Sequence, residues 1–157
     1  MITKEQVLEA QTAWGNGVVK IGSLKDQRSA CESYASSFLD EQYSFENGQV
    51  IFKPTKCAIE QFRPTKAEAL SYFIAGDDRA CNEDTGFAIA PWTKVRFENA
   101  GMILEEDRAI AMGNYFFTAL DGSEAKVEYT FSYKLVAGKL KIDVHHSSFP
   151  YNPPVLA

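Results

Sequence analysis

The sequence predicts an α+β fold, with helices packed on one face of a curved antiparallel sheet. Three observations carry this. Apolar residues in the N-terminal part recur at helical spacing. From Trp92 onward the period changes to two. Turn motifs then separate long alternating segments, so the strands follow one another as a meander. Helices first and strands last indicate segregated layers, and a curved sheet with its helices can enclose a pocket.

The first helix opens at Thr3, which forms a capping box with Gln6 and satisfies two orphan backbone donors. Val7, Ala10, Trp14, Val18 and Ile21 fall on one stripe. Gly15 and Gly17 weaken this helix or mark a close contact. A second helix is expected from about Gln27 to Leu39, with Ala30, Tyr34 and Phe38 on one face. An Asn47-Gly48 turn then leads into a short strand stopped by Pro54. Thr65 with Glu68 is a second capping box, opening the helix "KAEALSYFIAG" that Gly76 can close. Val127, Tyr129, Phe131, Tyr133 and Leu135 alternate with polar residues, as in a half-buried antiparallel strand. "LDGSE" before it and "VAGK" after it are turns. The last strand is expected from Lys139 to about Phe149.

The chain's 157 residues are expected to form one domain, 1–157, with a real core. A 13% aromatic share points to a well-filled core or an aromatic-lined cavity. A net charge of −5 without a long basic run argues against nucleic acid as a partner. No apolar run approaches the roughly 20 residues of a spanning helix, and "MITKEQVLEAQ" has no apolar signal core. No membrane partner is therefore expected. Cys31, Cys57 and Cys81 are odd in number and lack metal-like spacing. They are expected to be reduced thiols.

Both histidines of the chain stand together in "KIDVHHSSFPY". Uninterrupted alternation places His145 and Ser147 on one face with Lys141 and Asp143. It places His146 and Ser148 on the other with Leu140, Ile142 and Val144. The two imidazoles then point apart, and a zinc site of the usual His/Cys type has too few donors. A carboxylate site for a harder cation stays open from composition, without a local motif for one. Taken alone, a strand histidine bonded to a backbone carbonyl, with serines solvating a sheet edge, is the commoner arrangement. Two features favour chemistry. Imidazole is the side chain suited to proton transfer near neutral pH, and hydroxyls recur in "FKPT" (Thr55) and "ALSYF" (Ser71, Tyr72). Hydroxyls beside one imidazole can bind a small oxyanion.

The joint pattern goes further. "FKPTKCAIEQFRPTKAEALSYFIAG", "EDTGFAIAPWTKVRFEN", "AMGNYFFT" and "KIDVHHSSFPY" together resemble the iota-class carbonic anhydrases, from about Tyr43 to Tyr151. "HHSS" by itself is also similar to a motif in the association domain of calcium/calmodulin-dependent protein kinase II. The resemblance implies the cone-shaped fold of nuclear transport factor two, with N-terminal helices on a strongly curved antiparallel sheet. It implies interconversion of carbon dioxide and bicarbonate, a homodimer formed through the sheet, and a cytoplasmic location. Some members of the class use manganese or zinc and others no metal. The shortage of donors here fits the metal-free group, so no cofactor is expected.

Carried over to this chain, Thr55, Tyr72, His145 and Ser147 are the expected catalytic residues. The hydroxyls of Thr55, Tyr72 and Ser147 would hold substrate oxygens, and His145 would accept or relay a proton. Tyr115, Phe116 and Phe131 would line an apolar pouch. His146 would pack or anchor the neighbouring structure. Two other readings fit the same fold: an isomerase or cyclase pairing His145 with Asp143, and a non-catalytic association module.

Overall fold

A computed structural model describes residues 1–155, so the last two residues of the expected domain, 156–157, lie outside the described residues. Three helices precede the long strands: α1 (Lys4–Ser23), α2 (Arg28–Gln42) and α3 (Lys66–Ile74). A short strand β1 (Ile51–Lys53) lies between α2 and α3. The meander follows as β2 (Trp92–Leu104), β3 (Arg108–Ala119), β4 (Glu124–Val136) and β5 (Lys139–Ser148). The sheet order is β1-β5-β4-β3-β2; β1 runs parallel to β5 and every other pair is antiparallel.

The helix signals act as expected, with differences of detail. Thr3 and Gln6 form the full capping box. At α3 only half of the box forms: the Glu68 N–H donates to the Thr65 hydroxyl, which itself donates to the Glu68 carboxylate. The second helix continues three residues past the expected end. Its Arg28 guanidinium donates to the carbonyls of Ile74 and Ala75 at 2.7 and 2.8 Å. Those are orphan acceptors at the C-terminus of α3, so one side chain ties α2 to the end of α3. Gly17 marks a close approach between helices. A Cβ there would lie 2.4 Å from the Phe38 ring of α2.

Val7, Trp14, Val18 and Ile21 of α1 are fully buried against the sheet, whose inner face supplies Tyr115, Phe117, Val127, Tyr129, Phe131 and Tyr133. Trp14 sits among Phe38, Phe97, Tyr115, Phe117 and Phe131 with ring centroids 5.6–6.4 Å apart. Register shifts interrupt the ladders at Trp92/Lys94, Asn99/Gly101 and Ser132/Tyr133. Bulges of this kind bend strands and increase their twist, which curves the sheet around the aromatic core.

The third shift corrects the expected faces of β5. Tyr133 pairs with Ile142 and Ser132 with Val144, so Asp143 is the extra residue of a bulge. One extra residue reverses the inside-outside phase of everything after it. Leu140 and Ile142 point inward before the bulge, and His145 and Ser147 point inward after it. His146 is exposed and does not share the face of Leu140 and Ile142. Asp143 does not share the face of His145 either. Its carboxylate forms a two-pronged ion pair with Arg108 of β3, both contacts 2.9 Å.

Candidate active site

His145 is the centre of the buried end of β5. It is 3% exposed, stacked on Phe52 of β1 at 4.7 Å and met edge-on by Phe131 at 4.4 Å. Both ring nitrogens are engaged: Nδ1 lies 2.8 Å from the Tyr43 hydroxyl and Nε2 lies 3.1 Å from the Tyr115 hydroxyl. The Tyr115 hydroxyl also donates to Ser147 Oγ, and Ser147 Oγ lies 2.5 Å from Thr55 Oγ1. Behind Tyr43, the Trp14 indole N–H donates to the phenol oxygen at 3.1 Å. The result is one continuous chain of polar groups through an aromatic core, running from α1 to the loop after β1.

The loop places the outer end of this chain. Pro54 ends β1, and Thr55 follows where the backbone turns away from the sheet. The Lys56 N–H donates to the Tyr72 hydroxyl at 3.3 Å, and Lys53 Nζ donates to the Ser147 carbonyl at 3.0 Å. A cavity of about 50 Å³ opens beside Tyr72, lined also by Lys56, Thr85, Phe87 and Trp92. That volume accommodates a few waters or a molecule of similar size. Larger surface grooves, such as one of about 510 Å³ between α2 and α3, lie away from the hydroxyls.

Of the expected site residues, Thr55, Tyr115, His145 and Ser147 are therefore brought into one network, and Tyr72 stands beside it. Phe116 is not. It occupies the opposite face of β3 from Tyr115, with the Arg96 guanidinium 3.9 Å above its ring. Phe117 is the inward neighbour instead, 4.8 Å from Tyr115. Tyr115, expected as apolar lining, contributes its hydroxyl at the middle of the chain.

Sequence reading missed Tyr43 as a polar partner and treated Trp14 only as core. It also missed Arg63 and Asp84, whose paired side chains are wholly buried with a 2.7 Å contact. Ser71 donates to the same carboxylate at 2.6 Å. Arg63 further donates to the carbonyls of Glu60 and Glu68, and its guanidinium lies 5.9 Å from the Tyr72 ring centre. This knot braces the loop carrying Thr55 and Lys56 against α3.

Burial sets the electrostatics. It disfavours the imidazolium and holds His145 well below the usual histidine range, with the neighbouring His146 acting the same way. Burial also raises Tyr43, Tyr72 and Tyr115 above the usual phenol range. The network is therefore neutral near pH 7. An unfolded His145 takes up a proton below about pH 6.5 and the folded one does not, so acid weakens the fold. Stability should fall by roughly 1.4 kcal/mol per pH unit below that value from this residue alone. Urea unfolding at several pH values should show the extra slope in the parent chain and not in His145→Gln; equal slopes would contradict it.

Among the described residues, no group of three or more His, Cys, Asp and Glu side chains is placed to hold a metal ion. Cys31, Cys57 and Cys81 are unpaired and buried. Burial pushes the Cys57 and Cys81 thiols up to about 11, away from the thiolate form that binds metals.

The family model for metal-independent carbonic anhydrases matches residues 5–149. The chain belongs to the metal-independent carbonic anhydrase family. A metal-independent carbonic anhydrase of Nostoc sp. (strain PCC 7120) is 40% identical over 154 residues, covering 96% of this chain and 75% of that protein. The crystal structure of a cyanobacterial iota-carbonic anhydrase complexed with bicarbonate superposes with a TM-score of 0.92 and 38% identity, over 97% of this chain and 94% of that one. More remote likeness shows the fold alone. A putative calcium/calmodulin-dependent protein kinase II association domain from Xanthomonas campestris has a TM-score of 0.59 at 20% identity, over 87% of this chain and 80% of that one. A putative dehydratase of the nuclear-transport-factor-two-like family from Streptomyces avermitilis has 0.57 at 17%, over 98% and 96%. The iota-class resemblance, the cone fold and the carbonic anhydrase activity expected from sequence all stand, and metal independence is carried by the family. The isomerase reading loses its acid-base pair as well, since Asp143 is held by Arg108 on the outer face.

Proposed function

We propose that this carbonic anhydrase interconverts carbon dioxide and bicarbonate at the hydroxyl cluster of Thr55, Tyr72, Tyr115 and Ser147. The observation that carries this is the buried Ser147 hydroxyl, bridging Thr55 and Tyr115 at the end of the His145 chain. Hydration forms a bond from a water oxygen to the carbon and releases one proton. Negative charge develops on the former carbon dioxide oxygens, where fixed O–H donors stabilise it in a low-dielectric site. Tyr72 lines the cavity and Thr55 lies next to it in the network; Glu83 and Asp84 also line the cavity, the Asp84 charge being matched by Arg63. The bicarbonate bound by the cyanobacterial relative supports the same ligand for this chain.

His145 is a poor candidate for the proton acceptor it was expected to be. Both of its nitrogens are occupied, and burial disfavours its charged form. The released proton is better passed to water at the cavity mouth. Stopped-flow hydration assays should give a rate above buffer that survives exhaustive chelation. No rate from folded protein would overturn the activity, and loss to chelator with recovery on adding zinc or manganese would overturn the metal-free mechanism.

The homodimer and the cytoplasmic location belong to the same proposal. The outer sheet face exposes Ile103 and Met112 and carries a groove of about 480 Å³ beside Gly113, Thr130 and His146, a surface fit for a second copy. Three unpaired buried cysteines suit a reducing compartment. No helix of the described residues is long and apolar enough to cross a membrane. Sedimentation should find a dimer indifferent to reducing agent; a monomer, or a dimer dispersed by reductant alone, would refute it.

A further inference from the structure

We infer that Tyr43 is a positioning residue that locks His145 in the Nε2–H tautomer and thereby aims every hydroxyl of the chain toward the substrate cavity. The argument is one of hydrogen counting. Tyr43 has two polar partners, Trp14 Nε1 and His145 Nδ1. An indole nitrogen donates and never accepts. The single phenol hydrogen of Tyr43 therefore has one acceptor, His145 Nδ1, and any other arrangement buries it unpaired at a free-energy cost.

The rest follows link by link. Neutral imidazole carries one hydrogen, and with Nδ1 accepting, that hydrogen is on Nε2. Nε2–H donates to the Tyr115 oxygen, so Tyr115 donates to Ser147, and Ser147 to Thr55. Thr55 then has its own hydrogen for the Tyr72 hydroxyl, which lines the cavity. Each donor is polarised by the one behind it. The chain presents donors to an oxyanion and resists running backward, because reversal strands the Tyr43 hydrogen. A chain wired this way delivers hydrogen bonds to bicarbonate and does not draw the hydration proton inward to His145.

That the cavity is the reaction site is the reading given above; the tautomer can be read without it. Long-range proton–nitrogen NMR on the ¹⁵N-labelled chain should show His145 with Nε2 protonated and Nδ1 bare. Tyr43→Phe removes the bias, so its His145 should show mixed tautomers, and kcat/KM for bicarbonate dehydration should fall roughly 10- to 100-fold. Nδ1–H in the parent chain overturns the inference whatever the variant does. So does a folded Tyr43→Phe with an unchanged tautomer and full activity. Nε2–H in the parent chain, with Tyr43→Phe giving mixed tautomers and full activity, would uphold the lock and refute the site assignment instead.

Discussion

Ser147→Ala is expected to lower kcat/KM for carbon dioxide hydration by roughly 100- to 1,000-fold, a loss as large as removing one fixed donor from an oxyanion site, because it cuts the chain that orients Thr55. Ser147 is 1% exposed, and its hydroxyl links Tyr115 to Thr55 in the chain described above. A methyl group there leaves the Tyr115 hydrogen without its acceptor and lets Thr55 rotate. The stability cost should be roughly 1–3 kcal/mol, that of unpaired buried polar groups, so the variant should remain folded in a thermal scan. Ser148→Ala is the matched control. Ser148 follows on the outer face, where its hydroxyl has only a 3.5 Å contact to Glu128, and its activity should stay close to the parent's. Stopped-flow rates for the two variants decide the matter. Near-parent activity in Ser147→Ala, or equal losses in both, would remove the hydroxyl cluster from the reaction.

How far the sequence reaches is clearest on β5. Alternation correctly predicted a strand and its ends to within one residue, and it set His145 and His146 on opposite faces. It could not show the bulge at Asp143, because a bulge depends on the partner strand and leaves the local pattern readable either way. His145 thus reached the interior for a reason opposite to the expected phase, and Asp143 was assigned to the wrong side. The same limit applies to Phe116 and Phe117: adjacent aromatics on a strand give no clue to which faces inward. Caps and turns, which are decided by neighbours in sequence, were legible at Thr3, Thr65, Gly122 and Gly138. Pairings across 29 and 102 residues, Trp14 with Tyr43 and Tyr43 with His145, leave no local signature. The family resemblance supplied Thr55, Tyr72, His145 and Ser147 without supplying the tyrosine and tryptophan behind them.

The Arg63–Asp84 pair is of that long-range kind, and breaking it should have the largest effect on stability. Both side chains have no exposure, and the carboxylate receives two guanidinium N–H groups at 2.7 and 2.8 Å and the Ser71 hydroxyl at 2.6 Å. Asp84→Asn would leave a buried guanidinium without its counter-charge, which typically costs roughly 3–5 kcal/mol. An intact pair is not worth that much in itself, because desolvation offsets most of its attraction. A double variant, Arg63→Met with Asp84→Leu, should therefore recover most of the lost stability. It should not recover activity. Arg63 also donates to the Glu60 and Glu68 carbonyls, and its backbone N–H donates to the Phe52 carbonyl at 2.7 Å. Those bonds hold the loop that carries Thr55 and Lys56 against α3 and Tyr72. Urea unfolding and hydration assays on the single and double variants separate the two roles. A single variant as stable as the parent would mean that Arg63 finds another anion or escapes to water. A double variant that is both stable and fully active would mean the knot is ballast for the fold and has no part in placing the Thr55 and Tyr72 hydroxyls.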